Sequence, residues 1–165
     1  MPLTPTSPLA GEGLDRLRAS SVEELVGGPI ASRQFADCFR SALFLYFSAI
    51  AESHVISQSI SSPTGSLLHG IMHRQEPDFL NSKYWFRRAG RHELFPALRD
   101  TTLEKLRLAG STPAEQLASE VESRTEWDPL WFIDKCELVN RDITSGSKQL
   151  LMELQRIEWQ IGFEY

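Results

Sequence analysis

From Phe35 onward, Phe35, Phe39, Ala42, Leu43, Tyr46 and Ile50 return at intervals of three and four, a period that only an α-helix gathers onto one face. Phe44, Leu45 and Phe47 widen the stripe almost all round, so the segment reads as the central, most buried helix, running from about Ala31 to about Ser59. Its uncharged stretch, Ser41 to Ala51, is eleven residues long, far short of the roughly 20 that cross a bilayer. No segment alternates apolar and polar residues as a half-buried strand does. The expected fold is all-α, a compact orthogonal or up-down bundle of about six helices.

The punctuation agrees with helices throughout. Ser21 stands three residues before Glu24, the spacing of a capping box, and Gly27, Gly28 and Pro29 stop what it starts. Ser61, Ser62 and Pro63 break the central helix, and a serine before a proline also opens the next one, because proline fits the first helical position where no donor is needed. A helical hairpin follows. Pro77 ends its second arm, Asp78 caps a helix over Leu80 to Ala89, and Gly90 closes it. Leu94 to Leu108 reads as a helix, Thr112-Pro113-Ala114-Glu115 and Asp128-Pro129 open two more, and Leu150, Leu151, Leu154, Ile157 and Ile161 mark a last one after Gly146.

A chain of 165 residues has the size of one domain. Pro2, Pro5 and Pro8 mark residues 1–13 as a disordered tail, leaving 14–165 as a single helical domain. That start holds no basic residue and no apolar core, so it does not resemble a signal peptide, and the expected location is cytoplasmic. Cys38 and Cys136 each sit in an apolar helical pattern and read as free buried thiols. A net charge of −5 excludes a broad nucleic-acid surface, which needs clustered Lys and Arg. Neither nucleic acid nor a membrane is therefore an expected partner. Charge is uneven, with eight basic against five acidic residues from Arg74 to Arg107, and seven acidic against two basic from Glu115 to Glu137. The first stretch leaves room for a local anion site.

Three of the four histidines fall in one polar block, Ser53-His54-x-x-x-Gln58 followed by His69-x-x-x-His73-Arg74-x-Glu76-x-Asp78-x-x-Asn81-x-x-Tyr84-Trp85-Phe86-Arg87-Arg88. Residues four apart on a helix are neighbours, so His69 and His73 point the same way and Glu76 continues their stripe. If the hairpin closes around Ser59 to Thr64, His54 and His69 stand about level. Two or three imidazoles plus a carboxylate suit Zn²⁺, or Fe²⁺ and Mn²⁺ with positions left for water or substrate. His54, His69, His73 and Glu76 are the candidate ligands of such a divalent metal. Gly70 stands where a zincin carries its general-base Glu, which removes the metalloprotease reading.

Around them, Gln58, Arg74, Asp78, Asn81, Tyr84, Trp85, Arg87 and Arg88 are the candidate ligand-binding residues. Arginine forks suit a carboxylate or phosphate and the rings supply a stacking face, so the expected partner is a small anionic or aromatic molecule. Three readings stay open: a metal-dependent, hydrolase-like site, a metal-free ligand pocket, and a structural or interaction protein in which the block is a satisfied buried network. His92 reads as a solvated loop residue and Glu158 as a surface carboxylate. No G-x-S-x-G elbow, phosphate loop or dinucleotide fingerprint is present.

The run Ser53-His54, Gln58, His69-Gly70-Ile71-Met72-His73-Arg74, Glu76, Asp78 and Asn81-x-Lys83-Tyr84-Trp85-Phe86-Arg87-Arg88 resembles a family of small bacterial and fungal proteins with no known activity. The resemblance covers the middle third of the chain and implies a shared signature. DinB-like helical bundles also gather three histidines around a metal, with their ligands distributed differently along the chain, and stand as an analogy only.

Overall fold

The computed structural model describes residues 1–141 and 146–164, with 142–145 and 165 outside the described residues. Among the described residues there are ten helices and no strand, so the all-α class holds while the helix count exceeds the six expected. Contacts divide the chain into two compact units, Pro2–Gly90 and the residues from Arg91 onward together with Met1.

The first unit holds α1 (Glu12–Ala19), α2 (Val22–Val26), α3 (Arg33–Tyr46), α4 (Ile50–Ser57), α5 (Pro63–Gln75) and α6 (Phe79–Ala89). The long central helix expected from Ala31 to Ser59 is in fact two. After Tyr46 the backbone turns left-handed at Ser48, φ 56°, and the N–H groups of Ser48 and Ala49 donate back to the carbonyls of Leu45 and Phe44 at 3.0 and 2.9 Å. That pair of bonds is a Schellman ending, in which glycine usually takes the left-handed position; here a serine does. Ser53 N then donates to Ala49 O at 3.1 Å and the chain re-enters a helix.

The face that α3 buries also differs from the expected stripe. Phe35 and Tyr46, expected in the buried stripe, are 63% and 42% exposed, while Ala42, Phe44 and Leu45 are buried. Phe44 packs with Leu14, Leu17 and Ala49, and Ser41 Oγ meets Ser53 Oγ at 2.9 Å across α3 and α4. Residues 1–13, expected as a disordered tail, run as a strap ahead of and into α1, in which Leu9 N donates to Phe47 O at 2.7 Å. Arg40 donates to the carbonyls of Ser20 and Leu17 at 2.8 and 3.1 Å, satisfying the end of α1.

Helices α5 and α6 form the tightest pair, and Gly70 is the reason they can. A Cβ at Gly70 would stand 2.7 Å from the Phe86 ring, and Ser82 Oγ donates to Gly70 O at 2.7 Å. The residue whose missing carboxylate removed the protease reading is thus glycine for packing. Every residue from Gly65 to Gln75 is buried, which places the α5 histidines deep inside this unit.

The second unit contains α7 (Phe95–Ala109), α8 (Thr112–Glu122), α9 (Pro129–Arg141) and α10 (Lys148–Glu164). Trp127, Trp131 and Phe132 form an aromatic cluster with centroids 5.3–6.5 Å apart. Glu120 of α8 accepts from Trp131 Nε1 and Lys135 Nζ of α9, both at 2.7 Å. Burial opposes ionisation of Glu120, but these donors and Arg124 outweigh it and hold the carboxyl below its ordinary value. No helix is long and apolar enough to cross a membrane, among the described residues.

Two expectations about single residues are overturned here. Glu158 is buried, not a surface carboxylate, and His92 is 5% exposed, not a solvated loop residue. Leu94 N donates to His92 Nδ1 at 3.4 Å, which requires that nitrogen to be unprotonated. Burial, against a smaller opposing effect of Glu93, lowers the His92 pKa from 6.5. As pH falls through 6.5 the unfolded chain takes up the proton before the folded one, so stability declines on the acid side. An NMR titration is expected to place the His92 midpoint below 6.5, with a shallower acid decline of stability in His92→Gln; a midpoint at or above 6.5 would refute the burial argument.

Candidate metal centre

The hairpin of α4 and α5 sets the geometry. Ser62 Oγ accepts from Gly65 N at 3.1 Å and Pro63 takes the first helical position, so α5 starts sharply after the short turn from α4. His54 lies on α4, with Ser57 one turn on; His69 and His73 lie one turn apart on α5. Their ring centroids stand 4.9 Å (His54–His69), 5.4 Å (His54–His73) and 4.7 Å (His69–His73) apart. One nitrogen from each falls within 4.8 Å of the others. Nitrogens sharing a tetrahedral ion at about 2.1 Å stand roughly 3.4 Å apart, so a spread of up to 4.8 Å would have to close for the three to hold one ion.

Each α5 imidazole is held on its far side. Ser57 Oγ lies 2.8 Å from His69 Nδ1, and Glu76 Oε2 lies 3.1 Å from His73 Nδ1. A carboxylate only accepts, so His73 Nδ1 carries the proton and its Nε2 keeps a lone pair. Asn81 Nδ2 stands 3.0 Å from that Nε2 and 3.4 Å from Nδ1. The His69 pKa falls from 6.5 to about 4 through burial first, then the neighbouring His73, His54 and Arg88. Burial lowers that of His73 as well, against the raising effect of Glu76 and Asp78. Both are neutral at physiological pH, the form in which imidazole binds a metal, and the His73–Glu76 contact is a hydrogen bond more than an ion pair.

Trp85 roofs the cluster, its ring centroid 4.1 Å from that of His69. Arg88 lies over the other part of the stack at 5.0 Å from the indole, and Tyr84 meets Trp85 edge-on at 5.5 Å. The remaining candidates are placed differently. Arg74 is fully buried with its guanidinium 5.9 Å from the Phe86 ring. Gln58 is exposed at the end of α4, and Arg87 is exposed on α6. Asp78 caps α6, accepting from Asn81 N at 3.1 Å.

A cavity of about 420 Å³ adjoins the cluster, sharing His54 and Glu76 with it and walled also by Ser48, Glu52 and the strap residues Thr6 and Ser7. None of these four was a candidate from the amino-acid pattern, nor was Ser57. Only Ser57 carried a readable signal, since three residues after His54 it shares that helix face.

No protein-family model, no curated protein and no solved structure matches this chain.

Proposed function

We propose that the first unit carries a divalent-metal centre ligated by His54, His69 and His73, and that the protein is a metal-dependent enzyme of the hydrolytic kind. The observation that carries this is the convergence of three imidazoles, two of them held at Nδ1 by Ser57 and Glu76. Partners on the far nitrogen fix tautomer and ring direction at metal sites. Three imidazole donors suit Zn²⁺, with a fourth position for water whose pKa the ion lowers towards neutrality. Glu76 then orients His73, and Asn81 Nδ2, 3.0 and 3.4 Å from the two ring nitrogens of His73, lies against that ring and leaves the Nε2 lone pair open to the ion.

The Ser57 and Glu76 contacts also serve a second reading, in which hydroxyl and carboxylate satisfy the α5 imidazoles and the block only fixes the fold. Elemental analysis of untagged protein separates the two. The metal reading expects about one zinc per chain after zinc supplementation and gel filtration; a chain that retains none belongs to the second reading.

A further inference from the structure

We infer that the cavity beside the imidazoles is the ligand pocket of this centre and that it takes a small cationic amine, not the anion that the arginine-rich pattern suggested. The inference deepens the metal-centre reading by naming the ligand class.

Charge at the wall is the first argument. Glu52 and Glu76 line the cavity, and no Lys or Arg does. Arg18 Nε donates to Glu52 Oε1 at 2.9 Å, and His73 engages Glu76 Oε2. Among the described residues, hydrogen bonds reach only that one oxygen of each carboxylate, so Glu52 Oε2 and Glu76 Oε1 remain as acceptors. Two carboxylates with a free acceptor each, and no Lys or Arg among the lining residues, suit an ammonium group, which donates three hydrogen bonds, better than a phosphate or carboxylate. The arginines that prompted the anionic expectation lie elsewhere, with Arg74 buried against Phe86 and Arg88 over Trp85.

Ser48 is the independent observation. It is 2% exposed, stands at the cavity wall, and its hydroxyl has no hydrogen-bond partner. A buried hydroxyl left unpaired is unfavourable unless something meets it. Its backbone is also left-handed, φ 56°, a conformation in which glycine would be unstrained. Retained strain and an orphaned polar group at one residue mark sites where a ligand supplies the missing contact.

Calorimetry with putrescine as the amine probe and inorganic phosphate as the anionic one tests this on the zinc-supplemented full chain. Putrescine is expected to bind the wild type, and its affinity to fall about tenfold in Glu52→Gln and in Ser48→Gly, the loss of one hydrogen bond to a charged group. Ser48→Gly keeps the left-handed turn, so its melting temperature is expected to equal or exceed that of the wild type, and zinc content stays unchanged in both variants. His69→Ala removes a proposed metal ligand away from the cavity wall, and putrescine binding within threefold of wild type in that variant supports a pocket that stands even if the metal reading fails. No putrescine binding to the wild type, equal affinity in Glu52→Gln, or phosphate binding that these substitutions abolish overturns the inference.

Discussion

His69→Ala and His73→Ala are each expected to weaken zinc binding by roughly a hundred- to a thousandfold. Structural zinc sites with four ligands bind with about 10–16 kcal/mol at neutral pH, so one ligand's share is about 2.5–4 kcal/mol, and each 1.4 kcal/mol is tenfold. Glu76→Gln should lose less, about 10–100-fold, because it leaves all three imidazoles in place and disturbs only the tautomer and direction of His73. Competition with a chromophoric chelator measures all three. The ranking is the discriminating result: if the structure holds only a satisfied network, none of the variants changes zinc affinity, because the wild type has none to lose. Stability then provides the complement, since a metal that binds only the folded chain at 100 times its dissociation constant adds about 2.7 kcal/mol, an increment expected in the wild type and absent from His69→Ala.

That the three imidazoles would meet was readable because it needs only two local rules. Positions four apart on a helix share a face, which aligns His69 with His73, and counting from the Ser62-Pro63 break levels His54 with His69. What lay beyond those rules was lost. The second wall of the site depends on the ending of α3, and the usual marker of such an ending is glycine; with Ser48 in that place the apolar period runs on without a visible stop. Glu52 and the strap residues reach the cavity only through that turn. The placement of the arginines was unreadable for a related reason, since their number suggested an anion site, whereas their positions depend on which neighbour each packs against. Burial of His92 and Glu158 was equally illegible, because whether a polar residue enters a core depends on how the helices pack around it, which residue spacing does not show.

The spacing between α5 and α6, which sets Trp85 and Asn81 against the imidazoles, rests on one glycine and one ring. Phe86→Ala is expected to destabilise the first unit by about 3–5 kcal/mol, the usual loss for emptying a buried phenylalanine site. Gly70→Ala should cost about 1–3 kcal/mol, because its new methyl group at 2.7 Å from the Phe86 ring cannot be accommodated without moving the ring or the helix. These effects must not add. With the ring gone, the alanine methyl enters the vacated space and brings the higher helix propensity of alanine, about 1 kcal/mol over glycine, so in the Phe86→Ala background Gly70→Ala should be neutral or stabilising. Urea unfolding of the four proteins gives the coupling directly. Should Gly70→Ala lose the same free energy in both backgrounds, the close approach of α5 to α6 is not what requires glycine there. If the coupling appears, the prediction extends to the site: Gly70→Ala alone pushes α6 outward, carries Trp85 off His69 and Asn81 off His73, and should weaken zinc binding without removing any ligand.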